Sequence, residues 1–506
     1  MELELQKERF ACYRSAPPLS LTLEETAETI VPDRDPDVAR IIDTSAQLLL
    51  QSRAISDGKL TMTGTAEVTV LYAAEDTGAP RALHYALPFE HTARLSEGCD
   101  AACAEGQVCS VEVRLLNPRK LFTRLDVDWR VTPYCRSVLT TCGEIADEAK
   151  YNIQTLCERC DVSLIRSVCE RDFAFSDEVT LSGGKEPIAS LLDHRVKLRV
   201  TEAKPLGEKL VLKGVACLSL LYASEDGKLR SYAEELPFSQ IFDGDGEPDG
   251  EGSVSAALSL AACEVRGADD TGRCVAVKLF LHAALILRET HRVCCISDLY
   301  STTHTLDARL ETVALPQEPR VSTVSQSVRE QLDAGTEVKS VLAAEVCFGS
   351  AALHSEGART VLRAAAALSI LYLDEADAPL SLRRRIELTA EVAADADAQA
   401  SVESVCANDI TASLNAGGVE LRFTAEFTIR SMETAVCACL TALSAEPWSP
   451  DADAPALVLR ALREGESLWE VAKQYRTTAE AILSANELTD GALPEAGRML
   501  LIPRSR

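Results

Sequence analysis

A long internal repeat is the feature that most constrains how this chain can fold. The same strand-like ending occurs three times, as Val68-Thr-Val-Leu-Tyr72, Leu218-Ser-Leu-Leu-Tyr222 and Leu368-Ser-Ile-Leu-Tyr372. The three Leu-Tyr pairs are spaced 150 residues apart (222 − 72 and 372 − 222). A period of that size is a whole domain and not a solenoid unit. The sequence therefore predicts three tandem domains of related fold.

Residues downstream of the Leu-Tyr pair show how the copies are related. The first two share Leu87-Pro-Phe89 and Leu236-Pro-Phe238, and the third has Ile386-Glu-Leu388 in the corresponding place. An acidic turn also follows each pair, as in Glu75-Asp76 of the first copy. The third copy is therefore the most diverged.

Within each copy the apolar residues alternate with polar ones. Thr61–Tyr72, Leu125–Val131 and Val275–Leu281 all have this period of two and are rich in β-branched residues. We therefore expect a mainly β protein with three antiparallel sandwich-like or barrel-like repeats. One short segment, from Asp37 to Ile42, is interpreted as a single helical turn.

The repeat spacing and the turn-rich segments give the domain boundaries. One of these turn-rich segments, the linker before the C-terminal domain, is rich in Pro, Ala and Asp. Such a composition suits an extended connector that leaves the C-terminal domain free of the repeats. The predicted units are repeat 1 at 1–150, repeat 2 at 160–305, repeat 3 at 320–445, the linker at 446–456 and a small C-terminal domain at 457–506.

Composition and charge limit the kinds of partner. The chain of 506 residues is 46% hydrophobic and 25% charged, as folded proteins are, and carries a formal net charge of −27. Such an acidic body repels phosphate backbones and anionic lipid heads, so we expect no nucleic acid and favour basic protein partners. We also expect no membrane span, because no stretch approaches 18 uninterrupted apolar residues. The acidic N-terminus lacks the pattern of a secretory signal, which predicts a cytoplasmic protein.

Eighteen cysteines are scattered along the chain. Without a signal for export they are expected to be mostly reduced and buried. Cys157-Glu-Arg-Cys160 has the spacing of a redox pair or of half a zinc site, and Cys437-Ala-Cys439 could join it. Ordinary core residues are the favoured interpretation, because no second Cys-x-x-Cys and no histidine pair accompany them.

The last fifty residues change to a strand, helix, helix, strand pattern. Ser467-Leu-Trp-Glu470 forms a capping box, and Thr477-Thr-Ala-Glu480 repeats that signature. Apolar residues at helical spacing follow each one. Leu457–Ala461 and Met499–Ile502 can supply a two-stranded sheet.

This C-terminal segment, from Arg463 to Asn486, resembles the LysM family along nearly its whole length. The resemblance implies a βααβ fold with a shallow groove that commonly holds N-acetylglucosamine polymers of peptidoglycan or chitin. Trp469, at a helical position, is interpreted as core packing in preference to sugar stacking. On this sequence the implied groove residues are Gly465, Glu466, Ser467, Asn486, Glu487 and Leu488.

Tandem β repeats joined to one C-terminal LysM resemble the SPOCS-domain family of clostridial spore proteins. That resemblance implies a scaffold or adaptor in spore coat assembly, located in the mother cell at the forespore surface. It also implies that the LysM region binds the morphogenetic ATPase of the coat basement. Self-association through open strand edges is a further expectation. The alternative is a protein that binds N-acetylglucosamine polymers.

No catalytic motif emerges from the sequence. It contains no Gly-rich phosphate loop, no His-Glu-x-x-His and no Gly-x-Ser-x-Gly. Acidic pairs such as Glu75-Asp76 lie in apparent turns, where a solvated surface explains them better than acid–base chemistry. The sequence thus predicts a non-enzymatic protein without catalytic residues, metal or cofactor.

Overall fold

Antiparallel β-strands dominate the structure, a computed structural model that describes residues 1–244, 251–357, 359–392, 399–415, 418–449, 455–488 and 497–504. The first repeat contributes β1 (Leu5–Ser15), β2 (Leu19–Ile30), β3 (Val38–Ser56), β4 (Lys59–Ala74), β5 (Pro80–Arg94), β6 (Cys99–Asn117) and β7 (Lys120–Ile145). A 3-10 helix, Glu148–Tyr151, follows it. The second contributes β8 (Ile153–Thr180), β9 (Ile188–Leu206), β10 (Lys209–Ser224), β11 (Leu229–Asp243), β12 (Gly252–Gly267) and β13 (Cys274–Ser301).

The third repeat has the same strand order as the second, but its first and last strands are each divided into two. It contributes β14 (His304–Pro316), β15 (Arg320–Asp333), β16 (Val338–Glu356), β17 (Arg359–Asp374), β18 (Pro379–Val392), β19 (Gln399–Asn415), β20 (Gly418–Met432) and β21 (Thr434–Pro447). The C-terminal module consists of β22 (Leu457–Ala461), α1 (Leu468–Tyr475), α2 (Ala479–Ala485) and β23 (Met499–Pro503). The prediction of a mainly β protein with a small βααβ module is therefore confirmed.

Each repeat is a sandwich of two antiparallel sheets. In the first repeat, the sheet β3-β4-β5 faces β2, β7 and β6, and in the second β9-β10-β11 faces β8, β13 and β12. In the third, β16-β17-β18 faces β15-β20-β19. The inward side chains of each sandwich form one hydrophobic core, because alternation along the strands places every second residue inside.

The ends of the long strands leave the repeats and form a shared unit, which we call the base. It consists of β1, β14, β21, the C-terminal halves of β7 and β13, and the N-terminal half of β8. A separate core fills it, with members from all three repeats that include Val162, Val293 and Leu315. The three tandem domains are thus joined by interwoven strands as well as by the chain.

Prolines mark two of the places where strands are split at the edge of the base. Pro17 and Pro18 lie between β1 and β2, and Pro319 lies between β14 and β15. Proline donates no backbone hydrogen bond, which weakens a ladder at these places. The second repeat has no proline at the equivalent place, and β8 runs without a break.

The Leu-Tyr pairs that revealed the repeat have two separate roles. Each tyrosine lies inside its own repeat, and the Tyr72 and Tyr222 hydroxyls donate to main-chain oxygens 36 residues earlier, at 3.3 and 3.2 Å. Each preceding leucine instead points out of its repeat. Leu71, Leu221 and Leu371 meet in one cluster, which we call the junction. The repeats are therefore packed around a pseudo-threefold centre.

Buried charges surround this apolar junction. Arg195 of the second repeat pairs with Asp193, at 2.9 Å, and with Glu345 of the third. Arg383 of the third repeat reaches Asp43 of the first, at 2.8 Å. Although burial alone would raise it, Arg195 and then Lys197 lower the pKa of Glu345 to about 2. The pairs Arg195–Glu345 and Arg383–Asp43 connect different repeats, so they fix which repeat lies beside which.

The helical turn interpreted at Asp37 to Ile42 is wrong, since β3 already begins at Val38. The register of β3 against β4 shifts between Val38 and Arg40 and again between Ile41 and Asp43. Each such bulge inserts an extra residue and breaks the alternation of a strand. The equivalent strand β16 has the same two shifts.

Candidate binding surface of the C-terminal module

The C-terminal module has a small core of its own. Val471 and Ala472 of α1, Ile482 of α2, and Leu500 and Ile502 of β23 are fully buried together. The strand β22 pairs antiparallel with β23 beneath the helices. The capping box predicted at Ser467 and Glu470 is present, with both of its reciprocal hydrogen bonds.

The first predicted groove loop is held by local hydrogen bonds. Gly465 has a φ of +76°, which favours glycine, and its side of the loop is exposed. The Glu466 carboxylate accepts from the Arg463 backbone N–H at 3.1 Å and pairs with Arg460 at 2.5 Å. The backbone hydrogen bond, more than Arg460, lowers the pKa of Glu466. Glu466 therefore shapes the loop, and Ser467 begins α1.

The second predicted groove loop depends on Asn486. Its amide nitrogen donates to the carbonyls of Ile482 and Leu501, each at 2.7 Å, and its oxygen accepts from the Leu501 N–H at 2.8 Å. Leu488 packs on the module core, and Glu487 is exposed. Asn486 and Leu488 thus hold this loop against β23, while Glu487 is the one of the three that projects to solvent.

The α1 side of the module docks on the base, a contact that the sequence reasoning missed. Asp298 of β13 accepts hydrogen bonds from the Trp469 indole at 2.7 Å and from Lys473 at 2.5 Å. The Tyr300 hydroxyl donates to the Thr477 carbonyl at 2.8 Å. We call this contact the dock. The module is therefore fixed to the body in this structure, although its linker composition suggested a free tail.

Further contacts extend the dock around the end of α1. Arg476, in the left-handed conformation that ends this helix, donates to the His304 carbonyl at 3.0 Å. Its guanidinium also lies 4.3 Å from the centre of the Trp448 ring, a cation–π contact. Trp448 belongs to the segment predicted as a linker, of which residues 450–454 lie outside the described residues. One part of that segment is thus a component of the dock.

Trp469 was interpreted as core packing in preference to sugar stacking, and the structure gives it a contact with the base as well. It packs against the module core, as the core interpretation holds, and it is only partly buried there. Its ring also meets Tyr300 edge to face, with ring centres 4.9 Å apart. The capping box around Trp469 is a local signal and could not reveal this partner, because Tyr300 lies 169 residues earlier in the chain.

The groove loops and the dock lie on different parts of the module surface. Gly465, Ser467 and Glu487 are exposed, and within the described chain they form no hydrogen bond or ion pair with the base. Among the described residues, the polar contacts of the dock come instead from α1 and the turn after it. The docked module therefore leaves these loop residues accessible.

Comparison with protein-family models identifies both parts of the chain. Residues 462–503 match the LysM domain, and residues 37–117 and 187–265 match the SipL, SPOCS domain. The chain therefore contains two segments that match the SPOCS domain and a later segment that matches the LysM domain. The SPOCS segments correspond to β3–β6 and to β9–β12, the equivalent parts of the first two sandwiches. Comparison with curated proteins and with solved structures returned no match.

The two SPOCS segments contain the residues that build the junction in the first and second repeats. Leu71 and Leu221 lie within them, as do Asp43 and Arg195. Both SPOCS and LysM are binding domains, and the domain content is that of a sporulation-related protein. Neither α-helix of the described residues is long or apolar enough to cross a bilayer.

The cysteines of the two sequence motifs differ in their exposure to solvent. Cys157 is exposed and Cys160 is partly buried, while Cys437 and Cys439 are buried in the base. Among the described residues no three His, Cys, Asp or Glu side chains are arranged to hold a metal ion. One disulfide, Cys99–Cys135, joins neighbouring strands, so the cysteines of this protein are not all reduced.

Proposed function

We propose that this chain is a non-enzymatic adaptor in spore-envelope assembly, which binds the morphogenetic ATPase of the coat basement through its LysM region at the forespore surface. The observation that supports the proposal is that some residues of the module contact the base while its loop residues stay exposed. Trp469 and Lys473 contact the base, and loop residues such as Glu487 are exposed to solvent. A partner can thus be bound while the module remains attached to a large body.

The SPOCS repeats would supply the rigid support in this mechanism. Their interwoven strands and the buried ion pair between Arg195 and Glu345 make a single body, on which the module is held in one orientation. Holding a binding module in place lowers the entropy that association must overcome. Binding without turnover is sufficient for an adaptor of this kind.

A pull-down with the purified ATPase tests the proposal. Full-length chain should retain the ATPase, and Glu487→Lys, which reverses a charge in the exposed loop, should weaken retention. Glu8→Lys makes the same charge change at an exposed position of β1 and should leave retention unchanged. Equal retention by all three chains would contradict a role for this loop, and no retention by the unaltered chain would contradict the partner.

Glycan binding is the second candidate, because the LysM match covers residues 462–503. Titration of the same chains with N-acetylglucosamine oligomers separates the two. Saturable binding of oligomers without retention of the ATPase would replace the adaptor proposal with a glycan-binding function. Retention of the ATPase with no response to oligomers would indicate that the groove binds protein and not glycan.

A further inference from the structure

Four cysteine thiols from distant parts of the chain meet in the core of the base. Cys142 comes from β7, Cys295 from β13, and Cys437 and Cys439 from β21. Their residues are 1 to 3% exposed. The strand β21 pairs only with β14 among the described strands and packs across the core on β13. The layer of the base that contains β13 and the layer that contains β21 therefore contact each other through cysteine side chains.

Cys295 occupies the centre of this group. Its thiol lies within hydrogen-bonding reach of both Cys437 and Cys439. The sulfur of Cys439 also accepts the backbone N–H of Cys142 at 3.3 Å, on the inner side. The sulfur of Cys437 lies 3.4 Å from a carboxylate oxygen of Glu158, whose residue is exposed. Cys437 is thus the thiol beside an exposed side chain, and Cys439 is the one beside the backbone of β7.

We propose that Cys295 and Cys437 form a thiol–disulfide switch, in which an external disulfide oxidises them to a cross-link between the two layers of the base. The Cys437 thiolate attacks a disulfide R–S–S–R, forms a mixed disulfide and releases one thiol RSH. The Cys295 thiolate then attacks the Cys437 sulfur and releases the second RSH. Two protein thiols are oxidised, and one external disulfide is reduced to two thiols.

The fold makes both steps feasible. A disulfide between facing sheets is a known way to cross a sandwich core, and it requires two cysteines on adjacent inner faces, as here. The sheet β14-β21 has two strands, so its local opening can admit a reagent more readily than a wider sheet would. Burial and then Glu158 raise the pKa of Cys437 to about 11, so the first step accelerates with rising pH.

The consequence of the cross-link concerns the dock. Asp298 and Tyr300 follow Cys295 on the same strand, and β21 leads directly to Trp448. A bond between Cys295 and Cys437 would tie together the two strands whose ends hold the LysM module. It would also enclose the third repeat as far as Cys437 in a covalent loop, which restricts the unfolded chain.

Oxidised glutathione is the probe for the experiment, applied to the folded full-length chain. Proteolytic peptide mapping without reductant should find Cys295 and Cys437 in one linked peptide, which reductant separates. The exposed Cys157 should gain glutathione and serves as the internal control for reaction. Oxidation should also raise the urea midpoint of the unaltered chain, and the linked peptide should form faster at higher pH.

Alanine variants separate the assignments, since alanine suits a buried site. Cys295→Ala and Cys437→Ala should each abolish the linked peptide and the rise in urea midpoint, while Cys439→Ala should retain both. A chain that is modified at Cys157 and keeps Cys295 and Cys437 as free thiols would overturn the switch. A cross-link that persists in Cys437→Ala and disappears in Cys439→Ala would overturn the choice of Cys437.

Discussion

Single side chains at the junction decide how the repeats are held together. Arg195 is the clearest case, because it neutralises Asp193 of its own repeat and Glu345 of another. Both carboxylates are largely removed from solvent, where a charge without a partner of opposite sign is costly. The stability of the whole body thus depends on one guanidinium that lies far from the LysM module.

Arg195→Met should lower the free energy of unfolding by about 3–5 kcal/mol, because the buried Asp193 loses its ion pair and Glu345 keeps only its pair with Lys197. Arg136→Met is the matched control, since that side chain is 76% exposed beside Asp100 and its loss should change the stability little. Urea unfolding of both variants measures the difference. Adding Glu345→Gln to Arg195→Met should recover part of the loss, and no recovery would contradict the pairing.

Asp298 is the residue on which the dock depends. Burial opposes its ionisation, but hydrogen bonds from Lys473 and then Trp469 outweigh this and lower its pKa below the ordinary 3.8. A carboxyl whose pKa is lower in the docked state favours docking above its ordinary pKa. That contribution is lost as the pH falls through the lower, docked value. The dock should therefore be stable at neutral pH and weaken in acid.

Asp298→Asn should weaken docking by about 1 kcal/mol at neutral pH, the usual scale for a partly exposed ion pair. Hydrogen exchange of the Thr477 and Thr478 amides, with the unaltered chain compared from neutral pH down to pH 3, measures both effects. Protection of these amides should fall in acid in the unaltered chain and show a smaller pH dependence in Asp298→Asn. Identical profiles would show that Asp298 does not control the dock.

At the scale of strands, the alternation in the sequence was sufficient to predict sheets and insufficient to predict their ends. Thr61–Tyr72 lies within β4 as expected, with every second side chain buried. Bulges such as the one between Ile41 and Asp43 were misread, because an extra residue resembles a turn of helix. The base was missed for another reason, since its strands pair across repeats and no local pattern records a distant partner.

The sequence difference between the third repeat and the others has a packing explanation. Gly214 pairs with Phe238, and a Cβ at that glycine would lie 2.4 Å from the phenyl ring. In the third repeat the equivalent pair is Ala364 with Leu388. The larger residue on one strand is thus matched by a smaller one on its neighbour. The change from Pro-Phe to Glu-Leu follows this exchange and does not indicate a different fold.

Gly214→Ala should lower the free energy of unfolding by about 1–3 kcal/mol, because the methyl group overpacks against Phe238. In the double variant with Phe238→Leu the cost should be smaller than the sum of the single costs by about 0.5 kcal/mol or more. A complete double-mutant cycle in urea measures this coupling. Additive effects would show instead that the Arg199 carbonyl, 2.9 Å from the added Cβ, limits the site.

For the whole molecule, the predicted domain boundaries and the observed packing lead to a direct test. The boundary at 160–305 stays a prediction, and the strands of that segment reach into the base, where Val293 and Leu299 are buried. The 160–305 fragment alone should therefore expose apolar surface, bind a hydrophobic dye and self-associate on size exclusion. The 1–449 fragment, which keeps the base intact, should remain a folded monomer. A monomeric, dye-free 160–305 fragment would contradict an essential role for the base.

Capping residues and helical spacing predicted the two helices of the module, because these are local signals. The ligand groove beside them comes from the family resemblance and stays a prediction. The resemblance assigned Asn486 and Leu488 to ligand contact, whereas the structure gives them hydrogen bonds and packing that position the loop. The dock could not be foreseen, because Asp298 and Lys473 are 175 residues apart in the chain.

The junction also bears on how such a chain can diversify. Positions 45, 195 and 345 are equivalent in the repeat and hold serine, arginine and glutamate. A closed ring of three identical subunits would present the same residue three times around its axis and could not form this complementary set. Covalent fusion removes that symmetry requirement, so every copy can acquire its own chemistry while the leucines at the axis continue to close the ring.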